Sequence, residues 1–169
     1  MPDKWRTDDV RADESSKGGE ELLQLVSFKI GDEEYGVDIL EVQEINRMTE
    51  ITRVPRSPGF VEGVINLRGK VIPIIDLRKR FRMEPKERDK DSRIVVVSID
   101  GQVMGMIVDA VLEVLRLQTD TIEPPPDIAT TVDSAYIQGV AKLDDRLLIL
   151  IDLTRVFSES EKAALSQMQ

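Results

Sequence analysis

The sequence predicts a mainly β protein made of two small, packed β-barrels. Short apolar runs recur along the 169 residues and are separated by Gly, Pro and Asx turns. Two blocks also repeat in the same order: Tyr35-Gly36-Val37 matches Met104-Gly105-Met106, and residues 63–81 match residues 139–157. The shared glycines and aspartates exceed what hydrophobic patterning requires, so duplication of one unit explains them better than chance. About five short strands per unit are enough for a small closed barrel.

Residues 1–20 have the composition of a flexible tail. They are rich in charge, Ser and Gly, and they contain no apolar run that could be buried. They also lack the apolar core of a secretory signal, and nowhere does the chain approach the ~20 apolar residues that span a bilayer. We therefore expect no direct membrane insertion.

The first barrel, with a linker, is predicted over residues 21–92. A strand at 23–30, the turn Gly31-Asp32 and a strand from Tyr35 form a hairpin. Residues 38–45 have helical apolar spacing but are short and β-branched, so a helical turn and a strand both remain open.

A proline-rich loop at 55–58 precedes a second hairpin with strands at 60–67 and 71–77. Its turn is Asn66-Leu67-Arg68-Gly69. Residues 82–92 are polar without apolar periodicity, which indicates a linker with a positive local field.

The second barrel is predicted over residues 93–157. Asp100-Gly101 is a strong two-residue hairpin turn, and the prolines at 124–126 force an extended loop. Strands are expected at residues 93–99, 103–108, 135–143 and 146–153. The capping-box pattern of Ser158 and Glu161 predicts a short helix in the carboxyl-terminal segment 158–169.

The composition narrows the possible chemistry. There is no cysteine and no histidine, which removes thiol redox chemistry and the commonest general base and metal ligand. A formal charge of −9 argues against nucleic acid as a partner, because phosphates would be repelled. No phosphate-binding loop, dinucleotide fingerprint or calcium-loop pattern is present. We expect neither enzymatic activity nor a cofactor or metal.

Few polar residues stand out against this background. We interpret the pairs Glu33-Glu34 and Asp144-Asp145 as solvated charge in turns. Asp76 and Asp152 occupy equivalent places in apolar strands, which predicts a structural hydrogen bond or helix cap in each barrel.

Arg68 differs, because a tight turn would present its guanidinium rigidly to a carboxylate or carbonyl group. An ordinary solvated turn arginine remains the plain alternative. An apolar strip could face a partner, although core burial is the commoner fate of such residues; it consists of Val42, Ile45, Val64 and Ile65.

Several segments closely resemble the CheW family of bacterial chemotaxis coupling proteins. They are GDEEYGVDILEVQEI (31–45), GVINLRGKVIPIIDLR (63–78), GMIVDAVLEVL (105–115), TIEPPPD (121–127) and AYIQGVAKLDDRLLILIDL (135–153). The resemblance covers nearly everything from residue 22 to 157, and the NLRG turn between glycine-framed blocks is specific.

The resemblance implies two five-stranded, SH3-like barrels that link the regulatory domain of the histidine kinase CheA to the cytoplasmic tips of methyl-accepting chemoreceptors. It implies a non-enzymatic adaptor, a monomer when free, in the cytoplasm and recruited to receptor arrays at the inner membrane. Arg68 would contribute to a receptor-binding groove, with Val42, Glu44 and Gly63 close to it or shaping it. The kinase-facing surface would lie mainly on the second barrel, without assigned residues.

Two other interpretations remain open at this stage. The chain could be a CheW-like module of another chemosensory-type pathway. A small-molecule-binding or hydrolytic β-barrel would instead require a deep apolar pocket with convergent polar groups. The low aromatic content, 4%, disfavours that second interpretation.

Overall fold

The computed structural model describes residues 22–124 and 134–168; the predicted tail at 1–20 lies outside them. The strands are β1 (Leu22–Ile30), β2 (Glu33–Asp38), β3 (Val42–Arg47), β4 (Val61–Leu67), β5 (Lys70–Asp76), β6 (Arg93–Ile99), β7 (Gln102–Val108), β8 (Ala110–Gln118), β9 (Ile122–Glu123), β10 (Ile137–Lys142) and β11 (Leu147–Ile151). The α-helices are α1 (Leu77–Arg80), α2 (Leu153–Val156) and α3 (Glu159–Ser166). Single 3-10 turns lie at Ile39–Glu41, Thr119–Thr121 and Ser134–Tyr136.

The strands form two sheets, which confirms the predicted mainly β fold. One sheet has five strands in the order β3-β6-β7-β5-β4, and the other has six in the order β8-β1-β2-β11-β10-β9. The sixth strand is the two-residue β9, which extends the expected five. The ambiguous segment at 38–45 contains both alternatives, because the 3-10 turn at Ile39–Glu41 leads directly into β3.

Each sheet curls so that its two edges approach each other. β8 leads through one 3-10 turn into β9, and β9 pairs with β10 at the opposite edge of the six-stranded sheet. In the five-stranded sheet, Thr52 follows β3 and forms an isolated bridge with Val64 of β4, with N–O distances of 2.9 and 2.8 Å. In both sheets, a segment that follows one edge strand pairs with the strand at the opposite edge. This pairing gives each sheet a barrel-like shape.

The predicted boundary between residues 92 and 93 does not separate the two sheets. The five-stranded sheet is contiguous from β3 to β7, and it is inserted between the β1–β2 hairpin and the β8–β11 segment of the other sheet. β2 pairs in parallel with β11, and β5 pairs in parallel with β7. The two predicted barrels therefore exchange hairpins: β1–β2 pairs with strands of the second, and β6–β7 pairs with strands of the first. Parallel partners are joined by long connections that leave no turn signal, so the sequence offered no sign of this hairpin exchange.

The two repeats retain the same local features. The β4–β5 and β10–β11 hairpins each contain a register shift, next to Gly63 and Gly139. Asp76 and Asp152 cap α1 and α2, each accepting a hydrogen bond from the backbone N–H two residues on, at 2.9 and 3.0 Å. The structural role predicted for these two aspartates is confirmed.

Apolar side chains form one large core between the sheets and a smaller cluster confined to each sheet. The shared core contains aromatic residues such as Phe28 and Tyr35 from the six-stranded sheet and Met104 from the five-stranded one. Ile74 and Leu150 lie at equivalent places in the two smaller clusters. Burial on both strand faces explains why these strands are apolar almost throughout.

The carboxyl-terminal helix α3 follows the six-stranded sheet along the chain and packs against the segment of the five-stranded sheet. Ser158 and Glu161 form the predicted capping box at its start. The Arg80 guanidinium donates to both carboxylate oxygens of Glu161 at 3.0 Å, and Lys162 Nζ donates to Asp100 of the β6–β7 turn at 3.2 Å. Leu165 is fully buried, so the helix belongs to the folded body.

Candidate functional site

The β4–β5 turn presents Arg68 in a fixed direction. Arg68 and Gly69 both have positive φ angles, 53° and 88°, as the favoured two-residue hairpin turns require. The Asn66 side-chain oxygen accepts a hydrogen bond from Gly69 N at 2.8 Å and closes the turn. The Arg68 side chain is 71% exposed, so the turn holds a cationic group out in solvent.

An ion pair with Glu44 holds the Arg68 guanidinium in place. Nη1 donates to Glu44 Oε1 at 3.2 Å, and Nη2 donates to Oε2 of the same carboxylate. This hydrogen bonding lowers the pKa of Glu44 against the opposing effect of partial burial. Glu44 lies on β3 and Arg68 follows β4, so the pair joins the two outer strands of the five-stranded sheet.

The other two residues predicted for the receptor groove lie inside the molecule. Val42 has no exposed surface and belongs to the shared core, so its side chain cannot contact a partner. Gly63 has a φ of +151°, and a Cβ there would collide with the backbone carbonyl of Thr52. The structure therefore brings together Arg68 and Glu44 at the surface, whereas Val42 and Gly63 are buried.

One interpretation of the acidic pairs is wrong. Asp144 and Asp145 lie exposed in the β10–β11 turn as expected, but Glu34 is a nearly buried residue of β2. Its Oε1 accepts a hydrogen bond from Arg146 Nε at 2.6 Å, and Arg146 also contacts Glu113 at 2.9 Å. Alternation along β2 places Glu34 on the face opposite Tyr35 and Val37 and would predict exposure, while the arginine that covers it is far away in the sequence.

Exposed apolar side chains mark the six-stranded sheet, and sequence reasoning missed them. On this sheet they are Leu22, Leu112, Val114 and Leu147. Val71 is the large exposed apolar residue of the described five-stranded sheet, next to the Arg68 turn, whereas Ile65 of the predicted apolar strip is buried. Because neighbouring residues in a strand point to opposite faces, exposure depends on which face the fold covers.

Membrane-spanning and metal-binding features can be assessed for the described ranges. Within them, each helix is too short or too polar to cross a bilayer. Across those same ranges, acidic side chains do not gather into a group of three or more that could hold a metal ion.

Comparison with known proteins identifies the family. The family model for the CheW-like domain matches residues 24–161. The chain is 41% identical over 145 residues to the chemotaxis protein CheW of Klebsiella aerogenes, covering 86% of each protein. It is 40% identical over 141 residues to a probable chemotaxis protein CheW of Rhizobium etli, covering 83% of this chain and 91% of that one.

A solved structure agrees with this relationship. The crystal structure of the scaffolding protein TtCheW from Thermoanaerobacter tengcongensis superimposes with a TM-score of 0.77 at 44% identity. The match covers 87% of this chain and 94% of that chain. On the family model, the sequence identities and the shared fold, this chain belongs to the CheW-like domain family.

Proposed function

We propose that this chain is a non-enzymatic chemotaxis scaffold that couples the histidine kinase CheA to the cytoplasmic tips of chemoreceptors. The observation that carries the proposal is the exposed guanidinium of Arg68, held by a tight turn and by Glu44 where the five-stranded sheet closes. The relatives support the role, since they are chemotaxis proteins and the solved structure is that of a scaffolding protein.

The receptor surface is proposed around the Arg68 turn. A receptor tip built from helices needs an apolar stripe and a few polar contacts to dock on a surface. Val71 pairs directly with Asn66 of the turn and is 42% exposed, so an exposed apolar side chain lies next to the turn that carries Arg68. Arginine carries five N–H donors, which leaves Arg68 free to bind a partner while it contacts Glu44. In this proposal Val42 and Gly63 shape the site without touching the receptor.

The kinase surface is proposed mainly on the six-stranded sheet, which contains most of the predicted second barrel. This sheet carries the larger share of exposed apolar side chains among the described strands, including Leu22 and Val114 outside the groove described below. Exposed apolar groups of this kind are typical of protein-binding surfaces. Two partner surfaces on two sheets would let the scaffold bind kinase and receptor together.

Two further expectations accompany this role. The protein would be a monomer in the cytoplasm when free, recruited through its partners to receptor arrays at the inner membrane. Reversible arrays need modest interfaces, so we expect affinities of roughly 1 μM for each partner.

The test is a pair of calorimetric titrations with Arg68→Glu, one against a soluble receptor-tip fragment and one against the CheA regulatory domain. Charge reversal should weaken receptor binding by roughly tenfold or more, because it places like charges beside Glu44 and removes the donors. The affinity for the CheA regulatory domain should change by no more than about twofold, which is a small difference in binding free energy.

Lys142→Glu provides the matched control. Its side chain is 68% exposed, close to the value for Arg68, but it lies on the six-stranded sheet. The same charge reversal there should leave receptor affinity unchanged. Equal receptor affinities for wild-type protein and a folded Arg68→Glu variant would contradict the proposed receptor surface, and no binding to either partner by wild-type protein would contradict the coupling role.

A further inference from the structure

An apolar groove opens on the six-stranded sheet. It has a volume of about 720 Å³. Leu112 of β8 and Leu147 of β11 form its exposed apolar walls, at 46% and 56% exposure, and the nearly buried Val140 and Ile149 lie beneath them. Exposed leucine side chains around a groove offer a surface that a further apolar group could cover.

The charges around this groove are predominantly negative. Four acidic residues line it against two basic ones, Lys29 and Arg146; the acidic residues are Asp32, Glu33, Glu34 and Glu113. Arg146 neutralises part of this charge through Glu34 and Glu113. One carboxylate oxygen of Glu34, Oε2, is buried and has no hydrogen-bond partner among the described residues. The groove therefore favours a ligand that combines an apolar side chain with positive charge.

The chain itself contains such a segment at Lys4-Trp5-Arg6. Trp5 is the single tryptophan of the protein, and a cation flanks it on each side. We propose that Lys4-Trp5-Arg6 docks in this groove of its own chain, with the indole between Leu112 and Leu147 and the two cations at the acidic rim. An indole supplies a large apolar surface with little loss of side-chain entropy, which suits a weak internal contact.

The connecting segment has a suitable length. Residues 6–21 separate Trp5 from the start of β1, and a random-coil linker of 16 residues would span about 22 Å on average. Lys29 at the groove is seven positions along β1 from Leu22, about 23 Å at ~3.3 Å per residue. Because the span of the linker is close to the distance it must bridge, the effective concentration of Trp5 at the groove would be on the order of 1 mM. A groove that binds the segment with a Kd of about 0.1 mM would then be about nine-tenths occupied.

The single tryptophan makes the proposal directly testable in the full-length chain. Trp5 fluorescence of the wild-type protein should be blue-shifted relative to the same protein in denaturant and protected from acrylamide, independently of protein concentration. Leu147→Glu and the double variant Lys4→Gln/Arg6→Gln should shift the emission to the red and raise the acrylamide quenching constant. A tenfold loss of groove affinity lowers occupancy from about nine-tenths to about half, so the quenching constant should rise severalfold.

Val71→Glu is the matched control, because it places the same charge on an apolar side chain that is 42% exposed on the other sheet. It should leave Trp5 emission unchanged. The double variant changes only tail residues, so its result does not depend on whether Leu147→Glu folds.

Three results would overturn the proposal. The first is emission of a free indole in wild-type protein, and the second is protection of Trp5 that persists in both Leu147→Glu and Lys4→Gln/Arg6→Gln. The third is protection that grows with protein concentration, which would mean docking on a second copy. A freely quenched Trp5 combined with loss of CheA binding in Leu147→Glu would assign the groove to the kinase instead. The receptor titration of Arg68→Glu is unaffected by any of these outcomes.

Discussion

Arginines in this protein differ in role according to their exposure. Arg78 is 15% exposed and binds Asp109 through two hydrogen bonds, at 3.1 and 2.7 Å. Burial would raise the pKa of Asp109, but hydrogen bonds from Arg78 and from the backbone N–H of Gly31 outweigh it and lower that pKa. Arg68 forms a similar bidentate pair at 71% exposure. Exposed pairs contribute little to folding, so Arg68 is better suited to binding than to structure.

Glu41 should make stability depend on pH near neutrality. Partial burial, followed by the nearby charges of Asp38, Asp152 and Asp100, raises its pKa from 4.5 to about 7. Between these values the folded protein binds a proton that the unfolded chain has released, so stability falls as pH rises from 4.5 to about 7 and stays low above it. Glu41→Gln should therefore stabilise the protein at pH 8 by about 1 kcal/mol. This value is smaller than the free-energy equivalent of the whole pKa shift, because solvent screens the half-exposed carboxylate.

Urea unfolding at pH 6 and pH 8 checks this expectation. The wild-type protein should gain stability at pH 6 relative to pH 8, and Glu41→Gln should reduce that gain. Glu87→Gln, an exposed carboxylate in the linker, serves as the control and should behave as wild type. An identical pH response in Glu41→Gln and wild type would rule out Glu41 as the source.

Two glycines explain how the strands close into barrel-like sheets. Gly63 lets β4 approach the Thr52 bridge, and Gly139 lies in the same way against Glu123 of β9. A side chain at either place would collide with the backbone of the closing segment. The glycines that the two repeats share are therefore required by close approach of two backbones.

Gly63→Ala and Gly69→Ala separate close approach from backbone conformation. Both glycines have positive φ angles, but an added Cβ meets the Thr52 backbone only at Gly63, whereas the space around Gly69 is open. Gly69→Ala should cost about 1 kcal/mol for the left-handed conformation, and Gly63→Ala about 3 kcal/mol or more. Chemical denaturation measures both, and equal losses of stability would show that the Thr52 contact is unimportant.

At the scale of the whole molecule, the two sheets depend on each other through a shared apolar core. The β1–β2 hairpin is paired between β8 and β11, while the β6–β7 hairpin is paired between β3 and β5. The largest apolar core lies between the sheets, and α3, which follows the six-stranded sheet along the chain, contacts residues of the five-stranded segment. We expect one cooperative unfolding transition, because opening either sheet would expose the apolar core that both sheets share.

Cutting the chain between residues 92 and 93 tests this dependence. Neither fragment alone should show a cooperative thermal transition by circular dichroism, and mixing the two should restore one. In the alternative outcome, the β1–β2 hairpin of the amino-terminal fragment would take the place of its repeat equivalent, β6–β7. That fragment would then close a barrel without the other. A cooperative transition in either isolated fragment would mean that the exchange is not required for folding.

The sequence was informative wherever the controlling interaction is local. The turns at Gly31-Asp32 and Asp100-Gly101, the caps at Asp76 and Asp152 and the capping box at Ser158 depend on residues within a few positions, and the structure contains each of them. The exposed turn of Arg68 was predictable for the same reason. Its partner Glu44 lies 24 residues away, so that contact was implied only by family resemblance.

The sequence by itself determined the β class, the duplication, the hairpins and the family. Strand period, turn residues and repeated glycines can each be recognised within a short stretch of chain. Only the tertiary structure decided which hairpin joins which sheet, that Val42 and Glu34 are buried, and that Leu112 and Leu147 remain exposed around a groove. Parallel pairing and burial depend on residues far apart in the chain, and the two faces of an apolar strand look alike until the fold covers one of them.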